Sequence, residues 1–141
     1  MLFFGHSNKL LVYNVQSNSW LSGELPLGPD ISFKSYCSAV TLNNNMILLI
    51  GGGFSNEIYE FNPLTFKTTV KTNMERIRTE HSSVYFANKV YILGGFEKKE
   101  NVFLSECEIY DVSNNRMEKM QSMKTPKCGF SCAAARKFLQ K

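Results

Sequence analysis

An internal repeat limits the folds that this chain can adopt more than any other feature of its sequence. An aliphatic run ending in glycine occurs three times, at residues 2–5, 48–51 and 91–94. The glycine is doubled in the second and third copies, and His6 stands in the second place of the first. Self-similarity at a spacing of about 20 to 50 residues indicates that the chain is built from repeated supersecondary units.

Two further columns recur in the same order. A tyrosine follows each glycine run, and a large side chain stands seven residues after each tyrosine; the pairs are Tyr13 and Trp20, Tyr59 and Phe66, and Tyr110 and Met117. Turn-forming residues lie inside each pair, as in a β-hairpin. A basic residue precedes each repeat, at Lys34, Arg78 and Lys127. These columns keep their order although insertions separate them, so chance does not explain them.

Each repeat predicts four short strands. In the second repeat they cover residues 36–42, 46–51, 57–61 and 66–70. The three asparagines at 43–45 turn the first hairpin, because asparagine tolerates the left-handed backbone region. Four-stranded antiparallel units of this length are the blades of β-propellers.

The predicted strands divide the chain into four parts. Residues 34–71 and 78–120 each form a full blade, residues 1–27 form a truncated blade without its first strand, and residues 127–141 supply the first strand of a further blade. An open stack of blades leaves apolar faces at its ends, so we expect self-association. As an alternative, a strand over residues 129–135 completes the first blade and closes a strained three-bladed ring.

The repeat resembles the Kelch family. Residues 106–111 and 123–127 are close to the family consensus, while Phe66 and Met117 replace the tryptophan expected in the fourth strand. The resemblance implies an all-β, partial Kelch-type β-propeller of four-stranded antiparallel blades. These two replacements suggest looser packing at the outer edges of the two full blades.

The resemblance also implies a function. Kelch propellers are non-catalytic protein-binding modules in ubiquitin-ligase substrate adaptors and cytoskeletal scaffolds, so we expect a protein partner and no enzyme activity. The alternative is a fragment of a Kelch-like enzyme, an oxidase or a sugar isomerase. A copper oxidase would need Tyr, Cys and two His side chains on the central axis. The sequence has two histidines, and we interpret His81 as a packing residue.

Metal, cofactor, nucleic-acid and membrane sites are not expected. The four cysteines form no C-x2-C pair and have no histidine at ligand spacing, so we interpret them as reduced thiols of a cytoplasmic protein. The 16 basic and 12 acidic residues are intermixed, unlike a nucleic-acid-binding arm. The longest aliphatic run, residues 46–50, is too short to cross a membrane. The doubled glycines follow strands and lack the lysine of a phosphate-binding loop.

Binding is expected on the loops that break the repeat. The second-to-third-strand loops, 53–56 and 96–105, project from the same face as the connections between blades. The predicted partner-binding residues on this face are Arg76, Arg78, Lys98, Lys99, Phe103 and Lys124. Their charge suits an acidic peptide segment. For the basic column that includes Arg78, structural support of the loops is the favoured interpretation over direct ligand contact.

Overall fold

The structure is a computed structural model that describes residues 2–4, 9–24 and 36–135 of the 141-residue chain. Eleven β-strands form three antiparallel sheets in these residues. No helix occurs in the described ranges, and hence none that is long and apolar enough to cross a membrane. The predicted all-β class is confirmed.

The strands follow one another within each sheet in chain order. Blade 1 contains β1 (Leu2–Phe4), β2 (Lys9–Asn14) and β3 (Ser19–Glu24). Blade 2 contains β4 (Ser38–Thr41), β5 (Ile47–Ile50), β6 (Glu57–Asn62) and β7 (Lys67–Asn73). Blade 3 contains β8 (Ser82–Phe86), β9 (Lys89–Glu97), β10 (Val102–Asp111) and β11 (Arg116–Met120). The two complete sheets are the four-stranded blades of a partial propeller.

In every blade, the strand before the last (β2, β6 or β10) ends in the same turn. Its last residue is Asn14, Asn62 or Asp111, and the Oδ1 atom accepts hydrogen bonds from the main-chain N–H groups two and three residues later, at 2.9 to 3.2 Å. A short side chain that can bond its own backbone favours a turn at this point. This turn fixes the alignment of the three repeats.

The position of this turn shows that the tyrosine column was misaligned by two residues in blade 2. Tyr13 lies opposite Trp20, and Tyr110 lies opposite Met117, as the sequence predicted. The residue of blade 2 that directly precedes the turn, as these tyrosines do, is Phe61.

Tyr59 is therefore not equivalent to Tyr110, although both are buried strand residues as predicted. Tyr59 lies opposite Val70 in the register of β6 and β7. Phe66 lies in the turn, with a φ angle of 57°, and not in the fourth strand. The predicted pair of Tyr59 and Phe66 was wrong because an aromatic match was given more weight than the turn-forming Asn62.

The main core lies between blades 2 and 3. Buried side chains from both blades and from the connection between them form one cluster: Val40, Leu42, Leu48, Ile50, Ile58, Met74, Val90, Ile92 and Tyr110. All four residues of β5 are buried, as is usual for a strand covered on both faces. The core therefore joins the two blades into one packed unit.

The connection between blades is itself a repeated structure. Gly52 donates its N–H to the carbonyl oxygen of Arg78 at 3.0 Å, and Gly95 donates to that of Lys127 at 2.8 Å. The doubled glycine of one blade thus holds the main chain that enters the next. This supports the structural interpretation of the glycine pairs.

The segment after β11 is held by the doubled glycine of blade 3 in the same way, but it forms no strand within residues 121–135. The N–H of Gly129 bonds to the carbonyl oxygen of Glu80 at 2.8 Å. The strand expected over residues 129–135 is absent because a first strand pairs with the second strand of its own blade, which the described residues do not contain. It does not join blade 1 either, since that sheet consists of β1, β2 and β3. Gly5, His6 and Lys34 lie outside the described residues.

Candidate functional site

The insertion in blade 3 forms a β-hairpin where an irregular loop was expected. Strands β9 and β10 continue past the doubled glycine, with Phe96 opposite Phe103 and Glu97 opposite Val102. Residues 98–101 form the turn, in which Asn101 has a φ angle of 56°. The loop expectation was wrong for residues 96–105 because aromatic and β-branched residues on both sides of the turn extend the strand pairing.

One side of this hairpin carries exposed aromatic rings. The rings of Phe96 and Phe103 are 5.2 Å apart, and Phe103 is 61% exposed. The Lys98 Nζ atom lies 5.3 Å from the ring centre of Tyr36 and 6.0 Å from that of Phe54. Tyr36 and Phe54 are 54% and 71% exposed. We call Tyr36, Phe54, Lys98 and Phe103 the aromatic surface.

Arg76 binds three carboxylates of the same hairpin. Glu97 Oε2 lies 2.8 Å from both the Nε and Nη2 atoms of Arg76, and Glu100 Oε2 lies 2.6 Å from Nη2. Glu106 Oε1 lies 3.2 Å from Nη1. The hydrogen bond to Glu97 raises the pKa of Arg76 above its usual value. Arg76 was predicted to contact a partner, but its charge is directed into its own chain.

These carboxylates change the expected charge of the face. Three glutamates lie beside Arg76, and they offset the positive charges of Arg76, Lys98 and Lys99. The pKa of Glu106 is lowered mainly by main-chain hydrogen bonding of its carboxylate, with a contribution from the charge of Arg76. The hairpin is therefore not the uniformly basic surface that the sequence suggested.

Arg78 lies inside the protein and not on the binding face. Its side chain is 0% exposed, and its Nη2 atom is 2.6 Å from Glu108 Oε1. Its Nη1 atom donates to the carbonyl oxygens of Gly94 and Glu106, at 2.8 and 3.0 Å. Arg78 thus belongs to the structural support of the loops, and its inclusion among the surface residues was wrong because it is fully buried.

The remaining predicted residues are on the surface. Lys99 is exposed in the hairpin turn beside Lys98, and Lys124 is exposed on the connection after β11. Of the six predicted residues, the hairpin carries Lys98, Lys99 and Phe103. Sequence reasoning did not single out Tyr36, which precedes β4, or Phe54, which lies between β5 and β6 in the predicted binding loop 53–56. Only the folded structure brings them to Lys98.

His81 is a buried residue of the joint between blades. Neither of its ring nitrogens has a hydrogen-bond partner among the described residues, and burial, followed by the charge of Arg78, lowers its pKa to about 3. The four cysteines are free thiols. The described residues contain no group of three or more His, Cys, Asp or Glu side chains arranged to hold a metal ion.

A polar cavity of about 300 Å³ lies beside the Arg78 pair. Its charged lining consists of Glu75, Arg76, Arg78, Glu106, Glu108 and Lys119. Each of these charges has a partner within the lining or on the hairpin, including Lys119 and Glu75 at 3.0 Å. The cavity is therefore part of the charge network that joins the hairpin to the connection 74–81.

Comparison with known proteins identifies the repeat. The Kelch motif model matches residues 77–124, which include all four strands of blade 3. Kelch-like protein 38 of Homo sapiens is 26% identical over 100 residues, and its counterparts in Rattus norvegicus and Mus musculus are 25% identical over 100 residues. The match covers 71% of this chain and 15% of each relative. Residues 77–124 of this chain carry a Kelch motif. Its described residues form a partial Kelch-type β-propeller, and the aromatic surface lies between its second and third blades.

Proposed function

We propose that this Kelch-repeat chain is a non-catalytic protein-binding module whose contact region is the aromatic surface. The exposure of Phe54, beside Lys98 of the hairpin turn, and of Phe103, beside Phe96 of the same hairpin, is the observation that carries the proposal, because exposed large apolar side chains are typical of interaction sites. Aromatic residues also contribute strongly to the centres of protein interfaces. A protein partner would remove these rings from water.

The hairpin provides a fixed platform for these side chains. Thr79 and Phe96 exchange main-chain hydrogen bonds of 2.9 and 2.8 Å, which tie the hairpin to the entrance of blade 3. Binding residues that are held before the partner arrives lose less conformational entropy on association. The aromatic surface is therefore suited to rigid docking.

We propose a partner segment that combines apolar and acidic side chains. Apolar side chains would cover Phe54 and Phe103, and carboxylates would approach the exposed Lys98 and Lys99. The cation–π contacts of Lys98 are easily exchanged, since an exposed contact of this kind contributes only about 0.5–1 kcal/mol. Arg76 adds little attraction because its own glutamates surround it.

For the whole protein we propose one of two cytoplasmic roles. It is either the substrate adaptor of a ubiquitin ligase or a cytoskeletal scaffold. The four free cysteines fit a reducing compartment. Isolation of the full-length protein with either a cullin or actin filaments would separate the two roles. Recovery of neither would contradict both.

We further propose self-association through the outer face of blade 3. Val84, Tyr91 and Leu93 are only partly buried there, whereas the equivalent residues of blade 2, including Leu48 and Ile50, are fully buried against blade 3. A second copy could cover this face as blade 3 covers blade 2. Sedimentation at increasing protein concentration should show a shift to larger species, and Tyr91→Glu should remove it. A wild-type monomer at all concentrations would contradict this proposal.

The binding proposal can be tested with peptides selected against the chain from a displayed random library. The test variant reverses two charges, Lys98→Glu with Lys99→Glu. The control variant, Lys67→Glu with Arg116→Glu, makes the same change at exposed positions on the opposite edge of the blades. Thermal melts of both variants would show that the fold is retained, because exposed substitutions usually change stability by less than about 0.5 kcal/mol.

The expected result is enrichment of acidic, aromatic or aliphatic peptides that bind the control variant like wild type. Their affinity for the test variant should fall at least about tenfold, and Phe103→Ser should also weaken it, because truncation of an interface anchor often costs about 2 kcal/mol. Equal binding of the enriched peptides to wild type and to the Lys98 and Lys99 variant would reject the aromatic surface as the binding site.

A further inference from the structure

Arg76 joins two separate parts of the chain. It lies on the connection between β7 and β8, and all three of its side-chain nitrogens contact glutamates of the blade 3 hairpin. These glutamates occupy three levels of the hairpin, with Glu97 at the end of β9, Glu100 in the turn and Glu106 on β10. A single guanidinium therefore spans the hairpin from its turn towards its base.

The opposite contacts of the hairpin tip are to blade 2. Lys98 lies over the rings of Tyr36 and Phe54, while Glu97 and Glu100 are bound by Arg76. The tip is thus held on two sides. Arg76 binds the carboxylates of the tip, and the two rings contact Lys98. Thr79 and Arg78 hold the base: Thr79 bonds to Phe96, and the Arg78 side chain bonds to the carbonyl oxygens of Gly94 and Glu106 and to the Glu108 carboxylate.

We propose that Arg76 is a positioning residue, which fixes the hairpin tip so that Lys98, Lys99 and Phe103 are presented to the partner. This inference rests on the proposed function of the aromatic surface, and it assigns Arg76 a role without partner contact. Arginine is required because its planar group carries five N–H donors in a fixed fork. A lysine at this position supplies one compact charge and cannot bind all three glutamates in the same geometry.

The test measures the hairpin and the binding separately. Amide hydrogen exchange of residues 97–103 reports opening of the tip without any partner. The variants are Arg76→Ala, Arg76→Lys and, as matched control, Lys119→Ala. Lys119 forms another ion pair with the same connection, at 3.0 Å from Glu75, but contacts no hairpin carboxylate. The binding probe is an acidic peptide enriched on the wild-type chain.

Arg76→Ala should speed up exchange at the tip. It should also weaken binding of the peptide about fivefold, which corresponds to about 1 kcal/mol. Arg76→Lys should restore part of both losses, and Lys119→Ala should match wild type. Unchanged exchange at the tip in Arg76→Ala would overturn the inference, as would faster exchange with full peptide binding.

The two proposals fail in different ways. If the variant with Lys98→Glu and Lys99→Glu binds the peptide like wild type, the proposed contact surface is wrong, and with it the functional role of Arg76. If that variant loses binding while Arg76→Ala retains both binding and slow exchange, the contact surface is supported and only the positioning role is rejected.

Discussion

Gly51 lies so close to the main-chain carbonyl oxygen of Arg78 that a Cβ atom on this glycine would stand 2.8 Å from it. The Met74 Cε atom would be equally near, and the φ angle of Gly51 is 56°. The same contact recurs in the next repeat, where a Cβ on Gly94 would lie 2.6 Å from the carbonyl oxygen of Lys127. The doubled glycines are therefore sites where one blade receives the main chain of the next.

Substitution of Gly51 should separate this close contact from backbone strain. Gly51→Ala and Gly129→Ala both place alanine at a positive φ angle, 56° and 62°, but a Cβ on Gly129 meets only the Glu80 Oε2 atom at 3.8 Å. In both variants the left-handed conformation of alanine should lower the free energy of unfolding by about 1–2 kcal/mol. Gly51→Ala should lose a further 1–3 kcal/mol, roughly the effect of overpacking. Urea unfolding measures both, and equal losses would contradict the importance of the Arg78 contact.

The buried pair of Arg78 and Glu108 should be strongly coupled. Arg78→Met leaves the Glu108 carboxylate buried without its charge partner, and it should lower the free energy of unfolding by about 3–5 kcal/mol. The double variant with Glu108→Leu removes both charges, so it should recover most of this loss. Unfolding of the wild type and the three variants completes the cycle. Additive losses in the double variant would show that the pair is not a coupled unit.

Acid should destabilise the fold through His81. Burial lowers the pKa of His81 from 6.5 to about 3, so the folded state keeps the ring neutral while the unfolded state takes up a proton below about pH 6.5. Stability should therefore fall as the pH is lowered from 6.5 towards 3, by on the order of 1 kcal/mol for each pH unit. His81→Phe, which places the residue found at Phe130 of the next repeat, removes this contribution. Urea unfolding of both proteins at several pH values should show the smaller slope in His81→Phe; parallel slopes would contradict the assignment.

The fold could be predicted from the sequence because its main signals are local. Aliphatic runs, turn residues and recurrent glycines identify the four strands of blade 2 within a few residues of their observed ends. The register of β6 could not be predicted from Tyr59 alone. It depends on which residue begins the turn, and Asn62 was a better guide than the aromatic column.

The candidate site was predicted only in part. The insertion was visible as a break in the repeat, which led to Lys98, Lys99 and Phe103. The partners of Arg76 were not visible, because Glu97 and Glu106 approach it only after β9 and β10 pair as an extended hairpin. Long-range charge pairing of this kind depends on tertiary structure and leaves no signal in local sequence.

The turn after β6 offers a test of the corrected alignment. In blade 3, the Tyr110 hydroxyl donates to Asn115 Oδ1 at 2.7 Å across the turn. In blade 2 the equivalent residues are Phe61 and Phe66, whose rings meet edge to face with centres 6.1 Å apart. An aromatic contact thus replaces a hydrogen bond at the same two positions, and Phe66 adopts the positive φ angle that suits asparagine better.

The two positions should therefore be interchangeable only as a pair. Phe61→Tyr alone buries a hydroxyl without a suitable acceptor and should cost about 1–3 kcal/mol. Phe66→Asn alone relieves backbone strain but loses the ring contact, which contributes about 0.5–1.5 kcal/mol. The double variant should form the hydrogen bond seen in blade 3, so its stability should exceed the sum of the single effects by at least about 1 kcal/mol. A double-mutant cycle in urea measures this coupling. If the two changes were additive, Phe61 and Phe66 would not be the equivalents of Tyr110 and Asn115, and the alignment based on the turn would have to be abandoned.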